Sequence, residues 1–258
     1  MVVKKAAADS GEVQIIQINT GSITVAVVGS TPLILNRMAE KAKRELLMPA
    51  PKKTAADKAA NLKHNPLEEF RASPVRLRED DAPTLLAVPA TAFKGAMRTA
   101  ALDLPGAKKS QIGRLTYIPG EFIGIYGVPK VYSTIVRSAD MNRTPDVRTR
   151  CIVPKWAALL SITFVKPIMR EQAIANLLAA AGITVGVGDF RPEKGAGNYG
   201  QFEVVGTEDK RLQELLATGG RAAQLEAMES PEAYDDDTEE LLSWFDVEVR
   251  RRGFKVAA

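Results

Sequence analysis

The sequence predicts an α+β fold: a ferredoxin-like split β-α-β core with long insertions and a helical C-terminal extension. Three observations lead there. Alternating or continuous apolar runs mark strands at 13–28, 85–88, 151–153, 156–165 and 201–205. Segments 91–102 and 170–181 fall between them and have helical composition and spacing. Stretches 48–83 and 105–150 lack a sustained period and read as insertions. At 258 residues the chain suits one large domain or a domain with an embedded lobe.

Taken in order, residues 13–28 combine alternation with β-branched side chains, which suit a half-buried pleated surface. Thr31-Pro32 breaks this run, and the helix formers of 39–47 follow, ending at Pro49. Residues 1–47 are therefore the first part of the core. Residues 48–83 form an inserted, thumb-like arm, with prolines at 49, 51, 66, 74 and 83 and no apolar period. Residues 84–205 complete the core. Within them, 105–150 is a second insertion with apolar runs at 122–126 and 128–136 and a polar loop at 137–150. Ile174, Leu177, Leu178 and Ala181 make one apolar stripe of the 170–181 helix. The apolar run 183–187 and a glycine-rich loop lead into the last core strand. Residues 206–258 are an acidic extension with helices near 208–217 and 237–247.

Composition sets bounds on function. An apolar fraction of 45% and a charged fraction of 26% are ordinary for a soluble globular chain. No apolar run is long enough to span a bilayer, and the first residues lack a signal-peptide pattern. The one cysteine, Cys151, excludes an internal disulfide or a thiolate metal cluster, so a reducing, cytoplasmic location is expected. The single histidine, His64, lies between Lys63 and Asn65 and reads as a surface residue. Asp235-Asp-Asp237 reads as a helix cap. No catalytic constellation stands out, so neither enzyme activity nor a cofactor or metal is expected. Net charge is +4 but uneven: residues 1–220 carry 30 Lys and Arg against 21 Asp and Glu, and 221–258 carry 5 against 10. A basic body with an acidic end suits an anionic polymer partner, and equally an ordinary surface with uneven charge.

Two segments hold the candidate site. In Val88-Pro-Ala-Thr-Ala-Phe-Lys-Gly-Ala-Met-Arg-Thr99, a strand end leads into a helix on which Lys94 and Arg98 share one face. Gly95 lies between them and permits close approach of a ribose or backbone. A helix start favours phosphate, although the same spacing suits a solvated helix face. Downstream, the loop Gly186–Gly200 offers Gly195 and Gly197 for backbone cradling and Arg191, Lys194 and Tyr199 for charge and stacking. It also suits a long hairpin connection. Its G-x-G-x-x-G string does not open a helix after a strand, which argues against a dinucleotide site. Arg137, Arg143, Arg148 and Arg150 cluster with only Asp140 and Asp146 opposing them, as a backbone-tracking loop or an internally salt-bridged one.

Together these segments resemble signatures of the RAMP superfamily of CRISPR-associated proteins, namely the Pro89…Phe93-Lys94-Gly95…Arg98 pattern and the late glycine-rich loop. The resemblance spans roughly residues 13–205 and is greatest to the backbone subunits that coat a guide RNA, whose core is RNA-recognition-module-like. It implies a homo-oligomer or filament on single-stranded nucleic acid, RNA rather than DNA, with other effector-complex subunits as partners. It implies that Asn36, Arg37 and Lys41, in and after the first loop, face the strand, as do Lys94, Gly95 and Arg98. Some backbone subunits cleave target RNA with an aspartate of the first loop. Gly29–Met38 holds no Asp or Glu, so cleavage is not implied. The acidic extension matches no family motif, which leaves open a CRISPR-independent, virus-encoded binder or annealing protein of single strands on the same fold.

Overall fold

The computed structural model describes residues 17–38, 40–48, 54, 62–137, 143–194 and 197–253. Its ten strands and eight α-helices, counted among these residues, follow one another in this order: β1 (Asn19–Gly29), β2 (Leu33–Leu35), α1 (Glu40–Leu47), α2 (Pro66–Ala72), β3 (Val75–Arg76), β4 (Leu86–Pro89), α3 (Ala90–Ala100), α4 (Lys109–Leu115), β5 (Thr116–Tyr117), β6 (Phe122–Gly124), β7 (Lys130–Arg137), β8 (Pro145–Val153), β9 (Ala157–Lys166), α5 (Glu171–Thr184), β10 (Phe202–Val205), α6 (Lys210–Thr218), α7 (Arg221–Glu229) and α8 (Asp236–Arg252). The main sheet has the order β10-β1-β9-β5, with every neighbouring pair antiparallel. Tracing β1, α3, β5, β9, α5 and β10 gives strand, helix, strand, strand, helix, strand. This is the split β-α-β order that the sequence predicts, but its second strand is β5, inside the expected second insertion, whereas the runs at 85–88 and 151–153 pair in the two smaller sheets.

The alternation of β1 decides what each face of this sheet meets. Ile23, Val25 and Val27 point inward with their cross-strand partners Ile162, Leu160 and Ala158. They form one core with Phe93 and Met97 of α3 and Ile174, Leu177 and Leu178 of α5. Burying a side chain of this size stabilises the fold by about 2 kcal/mol. On the other face, Ala26, Val28 and Ala157 pack against Leu212, Leu215 and Leu216 of α6. An RNA-recognition module presents that face to its strand. Here α6 covers one end of it, while Ser22, Thr24, Ser161 and Tyr117 stay exposed at the other.

The insertions are more regular than their composition suggests. Together with β2, β4 and the end of β8 from the flanking core segments, they form two three-stranded sheets, ordered β2-β8-β7 and β3-β4-β6. Residues 145–150, expected within a polar loop, belong to β8, where Thr149 and Cys151 face one side and Arg148 and Arg150 the other, Arg148 exposed and Arg150 covered. Residues 138–142 lie outside the described residues. The helix expected over 170–181 runs on through Thr184, so α5 takes in the start of the apolar run 183–187. His64 is not a simple surface residue. It is half-buried and bridges Glu69 of α2 (2.7 Å) and Asp146 of β8 (3.0 Å). Lys63, which also bonds Asp146, and His64 hold that carboxyl below the usual aspartate range.

Helix α7, not anticipated from the sequence, is tied into the core by Gln224. Its Oε1 accepts from the Leu85 and Leu86 amides, and its Nε2 donates to the Ile125, Gly127 and Gly219 carbonyls. Asp235 caps α8 by accepting from the Thr238 amide, and the Thr238 hydroxyl accepts from Ser133 of β7. No helix among the described residues is long and apolar enough to cross a membrane.

Candidate nucleic-acid interface

Helix α3 starts where β4 leaves its sheet, and the Ala90 amide is held by the Glu121 carbonyl at 2.8 Å. Phe93, Ala96, Met97 and Ala100 are buried against the core. Thr91, Gly95 and Thr99, spaced by four, line a cavity of about 150 Å³ instead. Gly186, Val187, Gly188, Arg191 and Glu193 of the glycine-rich loop close its other wall. The two segments singled out in the sequence therefore meet across one space. Lys94 and Arg98 occupy the adjoining flank of α3, and Arg98 lies over Gly113 of α4. Neither makes an ion pair with a described residue.

The loop is folded upon itself. Gly186, Gly188 and Gly200 have φ of 71°, 82° and 72°. A Cβ on Gly200 would lie 1.7 Å from the Val187 carbonyl oxygen, and one on Gly197 would lie 1.6 Å from that of Phe190. These glycines answer to backbone packing. The Gly186 and Gly200 N–H groups donate to the Ala181 and Pro32 carbonyls, so these two amides are taken up within the fold. Arg191 is also engaged. It donates to Glu193 through two nitrogens, at 2.9 and 2.7 Å, and to the Gly188 carbonyl. Burial opposes ionisation of Glu193, but hydrogen bonds and charge from Arg191 outweigh it and hold the carboxyl below the usual glutamate range. The cavity mouth thus carries a closed ion pair.

A second cluster lies where β2, β8 and the loop converge. Asp189 bridges to Ile34 of β2, accepts from Asn36 Nδ2 at 2.8 Å and lies 3.4 Å from Arg150 Nε. Arg150 is 5% exposed, with Nε and Nη1 lacking a hydrogen-bond partner, and its guanidinium sits 5.0 Å from the Phe190 ring centroid. Burial lowers its pKa while Asp189 works the other way, and an arginine in this setting stays charged. Across the strand pair, Tyr132 opposes Arg150, packs edge-on against Tyr234 and meets Tyr199 hydroxyl to hydroxyl at 3.4 Å.

The remaining candidates are scattered. Arg37 pairs with Glu40 at 2.6 Å. Arg148 is exposed on the Arg150 face of β8, whereas Arg137 points to the other face of its hairpin. Arg143 precedes β8, and Lys194 is exposed at the end of a short 3-10 turn. The Lys41 side chain and Gly195 lie outside the described residues. Sequence reasoning overlooked Thr91, Thr99, Asp189 and Phe190. Thr91 and Thr99 are signalled by their i±4 spacing from Gly95, whereas Asp189 and Phe190 carry no local signal. It also overlooked a groove of about 570 Å³ rimmed by Arg37, Arg71, Arg76 and Arg78, for which the Arg76-Leu-Arg78 pair in the arm was the available signal.

No family model matches the chain, and no curated protein matches it. Among solved structures it is similar to the crystal structure of Cmr6 from Pyrococcus furiosus, at 11% identity and a TM-score of 0.36, covering 72% of this chain and 98% of that one.

Proposed function

We propose that this protein is a non-catalytic subunit that binds single-stranded nucleic acid, RNA in preference to DNA. It oligomerises along a guide RNA in the cytoplasm as the helical backbone of a CRISPR-type effector complex. The observation that carries this is the meeting of the α3 face at Thr91, Gly95 and Thr99 with the Gly186–Gly188 wall across one cavity. Lys94 and Arg98 stand beside that cavity as cations without an ion pair to a described residue, ready to take phosphate. The two motif segments lie far apart in the chain, and their convergence on one cavity supports a shared ligand. Base identity would be read by pairing with the guide, the protein holding backbone and shape.

Fluorescence anisotropy with RNA and DNA strands of one length, across a salt series, tests this. Lys94→Ala and Arg98→Glu are expected to weaken binding to all sequences alike and to flatten the salt slope by about 1 per lost phosphate contact. Unchanged affinity at low salt overturns the site. Sequencing the copurifying nucleic acid separates the CRISPR-type reading, which expects uniform guides, from a guide-free binder of heterogeneous strands.

A further inference from the structure

Phe190 is the one described bulky residue held at positive φ inside the glycine-rich loop, at 52°. Side chains of this kind avoid that region unless their surroundings impose it. Here the backbone is pinned on both sides. The Phe190 amide donates to Asp189 Oδ1 at 3.1 Å, and its carbonyl accepts from the Tyr199 amide at 3.2 Å. The bare Cα of Gly197 gives that carbonyl its room. Asp189 is fixed in turn by Asn36 and by its bridge to Ile34.

The ring this arrangement orients is not a core residue. Phe190 remains 36% exposed, while the arginine beneath it is 5% exposed. Arg150 lies over one face of the ring, and Phe190 keeps part of its surface open to solvent. Burying a guanidinium with two nitrogens lacking hydrogen bonds is unfavourable unless it serves a neighbour. The groups it serves are the ring at 5.0 Å and Asp189 at 3.4 Å. A rigid aromatic with a cation behind it and surface left open to solvent is a stacking platform for a flat π-system.

We infer that Phe190, backed by Arg150, is a stacking platform for one nucleobase of the bound strand. This rests on the single-strand reading above and adds an apolar, sequence-tolerant contact to its phosphate contacts. Stacking on one aromatic changes affinity by roughly 5-fold to 150-fold per base. Its signature differs from that of Lys94 and Arg98, because removing a stacked base leaves the phosphate count and the salt slope alone.

The test measures wild type, Phe190→Leu and Phe190→Trp against a short adenine strand, the same strand bearing 2-aminopurine, and one with abasic sites. Wild type is expected to quench 2-aminopurine and to lose affinity for the abasic strand at constant salt slope. Phe190→Leu should bind the intact strand at least about fivefold more weakly without a change of slope, and Phe190→Trp should retain binding and quenching. The abasic comparison needs no variant, so it decides the matter even if Phe190→Leu misfolds. Tight binding of the intact strand by wild type with no abasic penalty overturns the platform and leaves the single-strand reading standing. No binding of any strand by wild type overturns both.

Discussion

Gly95 sits in the middle of α3, where glycine weakens a helix, and nothing inside the molecule asks for it. A Cβ there meets no atom within 4 Å. Gly197 and Gly200 are the opposite case, since a Cβ on either would collide with a carbonyl. The open side of Gly95 is the cavity facing the glycine-rich loop. Gly95→Ala should therefore stabilise the fold by about 0.5–1 kcal/mol through helix propensity. It should also weaken single-strand binding by about 1 kcal/mol, roughly fivefold, because one methyl group blocks close approach. Thermal melts and anisotropy on the same samples check both signs. A variant that is more stable and binds as well as wild type would mean that no ligand approaches Gly95.

At the scale of elements, Gln224 is the central polar clamp of α7, beside buried Met228 and the Arg221 bonds to the Leu77 and Thr84 carbonyls. Gln224 is fully buried and joins β4, the end of β6 and the Gly219 turn through five hydrogen bonds. Gln224→Leu keeps the volume but takes the side-chain partner from two amide donors and from the Ile125 and Gly127 carbonyls, while the Gly219 carbonyl keeps its bond from the Gly127 amide; each group left unsatisfied costs about 1–3 kcal/mol before relaxation. A loss of about 3–5 kcal/mol is expected, with a clear drop in melting temperature. Leu225→Ala, one residue on and exposed on the same helix, should change stability by less than about 0.5 kcal/mol. Equal effects of the two changes in denaturant unfolding would remove the clamp from the account. This helix also shows where sequence reasoning reaches. β1, β9, β10, α3 and α5 were legible because a single sheet face or helix stripe faces one core, so periodicity survives, whereas the two-residue β5 is too short to show one. Only the end of β8, 151–153, was legible; residues 145–150 were not, because Arg148 and Arg150 alternate with inward Thr149 and read as a polar loop. The pairing of α3 with the glycine-rich loop was legible through its residue types. The use of the Gly186 and Gly200 amides was not, since backbone partners leave no mark on side chains. Phe190 was passed over because its role depends on Arg150, forty residues earlier in the chain and brought beneath it only by the β8 register.

Over the whole molecule, the charge asymmetry of the chain is concentrated in one place. Asp236, Asp237, Glu239 and Glu240 stand exposed on the first turns of α8, beside the capping Asp235. Carboxylates at a helix start are locally favourable, so part of this cluster answers to the helix dipole. Its wider consequence is a negative field on an otherwise basic body, which slows the approach of a polyanion without touching it. Replacing these four by Asn or Gln while keeping Asp235 raises the formal net charge from +4 to +8. Such a variant should associate with a single strand several-fold faster at low salt, and with wild-type kinetics once the Debye length falls to about 3 Å near 1 M salt. Dissociation rates should hardly change, because none of the four lines the α3 cavity. Stopped-flow association across a salt series separates these terms. A gain in affinity that survives high salt, or one carried by slower dissociation, would instead put α8 in direct contact with the strand.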